Sequence, residues 1–144
     1  MPFSRILAAY DGSKLSRKAL DKAIDIAEHY PEAELHVLHV IQYPVMVLGE
    51  AMISASAEVQ KEHYDKSEQL LEEVRQLLQT LPVKSQTSQL VGQPAPAILE
   101  YANTKDCNLI VLGSRGVSNL HEIMLGSVSH DVVQHSKVPV LVVK

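Results

Sequence analysis

The sequence predicts an α/β fold, a parallel sheet with helices on both faces. Two observations carry this. Short apolar runs alternate with longer stretches of helical period, in the order β-α-β-α-β-α-β-α-β. Most of those runs are nearly continuous rather than alternating, as expected of strands buried on both sides.

Ile6-Leu7-Ala8-Ala9-Tyr10 reads as a first, buried strand stopped by Asp11-Gly12. Ser13 is placed to cap the helix that follows. There Ala19, Leu20, Ala23, Ile24 and Ala27 fall at i, i+1, i+4, i+5 and i+8, one helical face, ending near Tyr30-Pro31. Leu35 to Ile41 reads as the second strand. Tyr43 to Ala57 has no clean period; Met46, Gly49, Met52 and its small residues read as a mobile loop leading into a helix.

From about Glu58 to Leu81 the pattern is helical. Leu70, Leu71, Val74, Leu77, Leu78 and Leu81 form a stripe, and charges fill the other face. The run is short for a coiled coil, so it is expected to cover a sheet. Val83 to Val91 alternates apolar and polar residues as a third, edge-like strand. Pro94 and Pro96 open the next helix, where proline is tolerated in the first turn. Ile98, Leu99 and Ala102 supply its apolar face. Leu109 to Leu112 is the fourth strand, Ser127 to about His135 the last helix, and Pro139 to Val143 the fifth strand.

Composition narrows the function classes. At 144 residues, one domain over positions 1–144 is expected, long enough to bury roughly two-thirds of its unfolded surface. Tryptophan is absent, so Val, Ile, Leu and Ala must build the core. The formal net charge of −4, with no basic block, argues against a nucleic-acid or anionic-membrane surface. Cys107 is the only cysteine, which excludes an intramolecular disulfide. Met1-Pro2-Phe3-Ser4-Arg5 enters a strand pattern without an apolar leader. No apolar run approaches the ~18 residues of a spanning helix. The expectation is a soluble, cytoplasmic protein.

The most informative stretch follows the fourth strand: Gly113-Ser114-Arg115-Gly116, nine further residues, then Gly126-Ser127-Val128-Ser129. Glycines directly after a strand allow a sharp turn and a close approach of ligand to backbone. Gly126-Ser127 at a helix start offers free N–H groups and a hydroxyl to an anion. The two pieces read as two walls of one phosphate site. Arg115 can neutralise phosphate charge, and Ser114, Ser127 and Ser129 can donate hydrogen bonds. The competing readings are a βα turn, an ordinary helix start and a solvated arginine. Neither G-x-x-x-x-G-K-[ST] nor a first-strand G-x-G-x-x-G is present.

In such sheets ligands sit beyond the carboxyl ends of the strands, at the topological switch point. If the first and fourth strands are neighbours, Asp11 faces the glycine loop. It can accept hydrogen bonds from ribose hydroxyls or base edges, or hold a metal; equally, it can be a turn residue before Gly12. His36 and His39 sit at i, i+3 in a strand and point to opposite faces, so they are no ligand pair. His121 and His130 lie near the loop without zinc spacing, and Glu122 is no second ligand by geometry. Cys107 reads as a small buried filler. No catalytic constellation stands out, so a nucleotide can be held without fast turnover.

Here the chain resembles the universal stress proteins, in particular their nucleotide-binding branch with G-x2-G-x9-G-[ST]. Gly113-x2-Gly116-x9-Gly126-Ser127 matches that pattern in spacing and type. Ile6-Leu7-Ala8-Ala9-Tyr10-Asp11-Gly12-Ser13, Leu38-His39-Val40, Val91-Gly92-Gln93-Pro94 with Ile98, and Val138-Pro139-Val140-Leu141-Val142-Val143 resemble its other segments in order, from Phe3 to Lys144. Ala9 stands where the family often has Pro or Val.

The resemblance implies a five-stranded parallel sheet in order 3-2-1-4-5, the adenine nucleotide alpha hydrolase-like variant of a Rossmann-like fold. It implies ATP, or ADP or AMP, with Ala9 and Val40 lining the base pocket and Asp11 near ribose or adenine. Gly113, Ser114, Arg115 and Gly116, with Gly126, Ser127, Val128 and Ser129, would wrap ribose and phosphates. Mg2+ or Mn2+ would accompany the phosphates. A homodimer through Val138–Val143 is implied too, and covering that apolar edge agrees with it. The implied role is a stress-response module with slow or absent hydrolysis. A weak ATPase and a structural dimer with an empty crevice are the alternatives. An adenylyltransferase would need H-x-G-H and an ATP pyrophosphatase Ser-Gly-Gly-x-Asp-Ser; Asp11-Gly12-Ser13-Lys14-Leu15-Ser16 only faintly echoes the latter.

Overall fold

The computed structural model describes residues 3–115 and 125–144. Gly116, His121 and Glu122 lie outside the described residues.

Five strands form one parallel sheet: β1 (Arg5–Ala9), β2 (Glu34–Ile41), β5 (Lys84–Val91), β6 (Leu109–Gly113) and β7 (Val140–Val143). Their order is β5-β2-β1-β6-β7. Counted among the sheet strands alone, this is 3-2-1-4-5. β1 is central, with Ile6 opposite Leu35 of β2 and Leu109 of β6. Ile6, Leu7 and Ala8 are accordingly buried on both faces, which is why the run is continuously apolar.

The helices cover the two faces in pairs. α1 (Lys14–Glu28) and α2 (Ala57–Gln79) lie on one side. Ala19, Leu20, Ala23, Leu71, Val74 and Leu78 pack there against Ile6, Ala8, Leu35 and Val37. α3 (Pro94–Thr104) and α4 (Ser127–His135) cover the other face, where Ile98, Ala102 and Val132 meet Leu7, Leu38, Ile110 and Leu112. The period-2 alternation of each strand sorts its side chains between these two cores. Among the described residues no helix is long and apolar enough to cross a membrane.

The stretch read as a loop is an antiparallel hairpin instead. β3 (Val45–Leu48) and β4 (Ala51–Ser54) pair with Val47 opposite Met52 and Met46 opposite Ile53. Gly49 takes φ +62° at the turn, the left-handed conformation a two-residue hairpin loop requires there. The period was invisible because both faces of this ribbon are apolar: Val45, Val47 and Met52 on one, Met46, Leu48 and Ile53 on the other.

Leu71 is 1% exposed, so Leu71→Ala leaves a cavity between α2 and the sheet. The expected loss is about 2–5 kcal/mol. Exposed Glu73 on the same helix is expected to tolerate alanine within about 0.5 kcal/mol. Paired urea melts of the two variants check the difference.

Candidate functional site

The crevice forms where neighbouring strands send their helices to opposite faces. β1 hands over to α1, while the chain beyond β6 returns through α4 on the other side. Such a switch point leaves an opening beyond the strand ends.

One wall is the turn after β1. An Asp11 carboxylate oxygen accepts from the Ser13 N–H at 2.9 Å, an Asx turn. Ser13 caps α1 by accepting from the Ser16 N–H at 3.2 Å, and the Ser16 hydroxyl donates to the Ser13 carbonyl at 3.0 Å. Gly12 has φ +83°, and a Cβ there would stand 2.9 Å from a Leu70 methyl. Asp11 is thus a turn residue, and the same turn brings it to the crevice.

The facing wall is built on the backbone of Gly113 and Ser114. A Cβ on Gly113 would lie 2.9 Å from Leu15 Cβ and 3.0 Å from its carbonyl carbon. The bare glycine lets α1 press against the end of β6. The Ser114 N–H donates to the Val143 carbonyl at 2.8 Å, and its own carbonyl accepts from the Gly126 N–H at 2.7 Å. The Ser129 hydroxyl donates to that same carbonyl at 2.7 Å. A Cβ on Gly126 would come within 3.3 Å of it. The Ser114 carbonyl is therefore clamped to the start of α4 by one main-chain and one side-chain hydrogen bond.

Between the walls is a cavity of ≈ 470 Å³. Of the residues singled out from sequence, Ala9, Asp11, Val40, Gly113, Arg115, Gly126, Ser127, Val128 and Ser129 line it. Ser114 is buried and does not line it among the described residues. The Ser129 hydroxyl is engaged with the Ser114 carbonyl, so Ser127 supplies the wall's open side-chain hydroxyl. Sequence reasoning missed Leu38, Ile98 and Leu112, the apolar floor, and Tyr10, Ser16, Gln42 and Pro94 around it. Leu38 and Gln42 flank Val40 at i−2 and i+2 in one strand line, a signal that was available.

Asp11 and Arg115 are the charged residues among the described lining. α4 opens with Gly126 as N-cap and no side-chain cap hydrogen bond among the described residues, leaving its first N–H groups turned outward at the rim. By contrast, Ser13 caps α1 and Ser56 caps α2. Prolines at 94 and 96 remove two donors from the start of α3.

Two histidines lie behind the site on opposite faces of β2, as read from their spacing. His39 Nδ1 is 2.6 Å from the Ser67 hydroxyl. His36 Nδ1 is 2.7 Å from the Tyr101 hydroxyl, and its Nε2 is 2.8 Å from Glu34. Burial pushes both pKa values below 6.5, against the opposing pull of Asp11 on His39 and of Glu34 on His36. Cys107 is buried, and burial raises its thiol to about 11.

Fold and crevice define a doubly wound α/β protein of the kind that takes small ligands at its switch point. Residues 2–144 match the model of the Universal stress protein family, and the chain belongs to that family. It is 38% identical over 155 residues to universal stress protein YxiE of Bacillus subtilis, covering 99% of each chain. The solved universal stress protein UspA from Lactobacillus plantarum shares the fold, with a TM-score of 0.85 over 100% of this chain and 99% of that one at 24% identity. A universal stress protein crystallised in complex with cAMP gives a TM-score of 0.74 at 26% identity, over 100% and 99% of the two chains.

Two outcomes are expected. Gly113→Ala forces Leu15 away from β6 and should cost about 1–3 kcal/mol, as overpacking does, with or without ligand; a thermal melt reads this. Both histidine pKa values are depressed in the native state, so the unfolded chain binds more protons as pH falls through 6.5. Their contribution is therefore complete above pH 6.5 and lost below it. Stability should fall between pH 7 and 5.5, and His36→Gln should flatten that slope; a wild-type slope retained in the variant refutes the assignment.

Proposed function

We propose that the crevice binds an adenine nucleotide, ATP or its ADP and AMP relatives. The protein then serves as a nucleotide-holding regulatory module of the stress response, with slow or no hydrolysis. One observation carries the reading: α4 opens onto the cavity rim with a glycine N-cap, without a side-chain cap among the described residues. Outward N–H groups and the positive end of the helix dipole make an anion site. Arg115 adds a cation beside them.

The rest of the cavity suits the remainder of such a ligand. Its volume of ≈ 470 Å³ falls among small-molecule sites. Ala9, Leu38, Val40 and Ile98 offer an apolar slot for a base. Asp11 is an acceptor for a ribose hydroxyl. The relative solved with cAMP holds an adenine nucleotide in the same fold. In this reading Gly116 continues the phosphate wall, as the G-x2-G-x9-G-[ST] spacing implies.

Hydrolysis would need a base beside the terminal phosphate. Asp11 is the only carboxylate among the described lining residues, no histidine joins it there, and one of its oxygens already holds Ser13. The described residues bring together no three His, Cys, Asp or Glu side chains. Mg2+ or Mn2+ would accompany the phosphates, with the Asp11 carboxylate as the anionic oxygen donor of the described lining. We further propose a homodimer through Val138–Val143. β7 is an edge strand, and its Leu141 is 37% exposed, the kind of apolar edge that pairing covers.

Protein purified without added nucleotide, then denatured, should release about one adenine nucleotide per chain, read by mass detection. Failing that, Mg-ATP at 100 Kd should stabilise the empty chain by about 2.7 kcal/mol. If neither is observed, the glycine loop is a turn and the proposal fails. Arg115→Ala should weaken ATP about tenfold or more while leaving adenosine unchanged, since a hydrogen bond to a charged group is worth roughly 1.5–3 kcal/mol. Asp11→Asn keeps the oxygen that holds Ser13 and should weaken both ligands.

A further inference from the structure

The lining of the crevice is segregated by strand. At the end of β6 and the start of α4 stand Gly113, Arg115 and Ser127, the anion wall. Just past β1 stands Asp11. On β2 and just past it, with α3 opposite, stand Leu38, Val40, Gln42, Pro94 and Ile98. The strands lie side by side in the order β6-β1-β2. At ~4.8 Å per strand, about 10 Å separates the first group from the last. In that last group Gln42 is the only polar side chain of the described lining.

Gln42 is held in place from a second element. It follows Val40 by two positions, so strand alternation turns it to the face that carries the apolar slot. Its Nε2 donates to Gln93 Oε1 at 3.3 Å. Main chain ties the same two connections together, where the Gly92 N–H donates to the Ile41 carbonyl at 3.0 Å. Gln93 is the N-cap of α3, yet its side chain makes no cap hydrogen bond. The residues a helix favours there are Ser, Thr, Asp and Asn. The Gln93 amide serves Gln42 instead of the helix.

We propose that Gln42 reads the base of the bound nucleotide through the 6-amino edge of adenine, with Gln93 as the residue that positions it. This inference rests on the nucleotide reading of the crevice and adds what selects the base. A primary amide carries two N–H donors and a carbonyl acceptor without net charge. Gln93 takes one donor; the second donor and the carbonyl are what a ligand can use. Adenine offers an amino donor beside a ring-nitrogen acceptor, the pattern a glutamine meets with two hydrogen bonds. Charge and hydroxyls lie at the other end of the crevice, with Asp11, Arg115 and Ser127. The order of the lining is thus the order of a nucleotide: phosphate at β6, ribose at β1, base at β2.

The test is titration calorimetry of the full chain with ATP and with purine riboside triphosphate, which carries hydrogen in place of the 6-amino group. Ribose and phosphates are common to both, so the comparison isolates the base edge. The wild type should prefer ATP about three- to tenfold, the range one neutral hydrogen bond supplies. Gln42→Met keeps the length and removes the amide. It should bring ATP down to the analogue's affinity and leave the analogue unchanged. Gln93→Leu should lose part of the preference. Both residues are exposed, so neither change empties the core, and circular dichroism spectra should match wild type. Equal wild-type affinities for the two ligands overturn the proposal. So does a Gln42→Met variant that weakens both alike, since residue 42 then shapes the mouth and reads nothing. Full preference in Gln93→Leu overturns the role of Gln93. A wild type that binds neither ligand refutes the nucleotide reading itself, and this inference with it.

Discussion

The crevice depends on one carbonyl. Ser114 O, at the end of β6, receives both the Gly126 N–H and the Ser129 hydroxyl. The Ser114 N–H is tied in turn to Val143 at the end of β7. The contact joins the last two strands and the start of α4 at one point. It works because two side chains are missing. Gly113 admits α1, and Gly126 admits the carbonyl itself. A side chain at either place would push one wall away from the other. The glycines serve protein packing first, and a ligand meets the surface that packing creates.

This explains what was legible from sequence and what was not. The central strands were readable because burial on both faces leaves only one composition for Ile6–Ala8 and Leu109–Leu112. Helical stripes such as Ala19-Leu20-Ala23-Ile24 were readable because one face of α1 is buried. The hairpin was not, since period is a contrast between faces and this ribbon has none. The glycine loop stood out, but for a partial reason. From sequence, Gly113 reads as room for a ligand; the structure shows Leu15 occupying that side of it.

The floor of the crevice illustrates a different limit. Leu38, Ile98 and Leu112 line the cavity, yet nothing in an apolar residue distinguishes a pocket floor from a core. That distinction depends on where the opposing helix stops. Here α3 begins at Pro94, just past the end of β5, and α4 begins late, at Ser127. The space between those two starts and the strand ends is the cavity. Asp11 was open to two readings, turn or ligand acceptor, and its carboxylate does hold the turn. The turn is what carries it to the rim.

The donors at this rim bear on what the site can do. Main-chain N–H groups at a helix start are fixed by the helix and need no reorganisation to meet an anion. In the proposed reading these groups hold the phosphates. Selective stabilisation of a transition state would need a group that acts only during reaction, such as a base aligned with water. The described lining has one carboxylate, engaged in its own turn. Val40, at the end of β2, and Gln42, just beyond it, line the cavity immediately before the chain enters the β3–β4 hairpin.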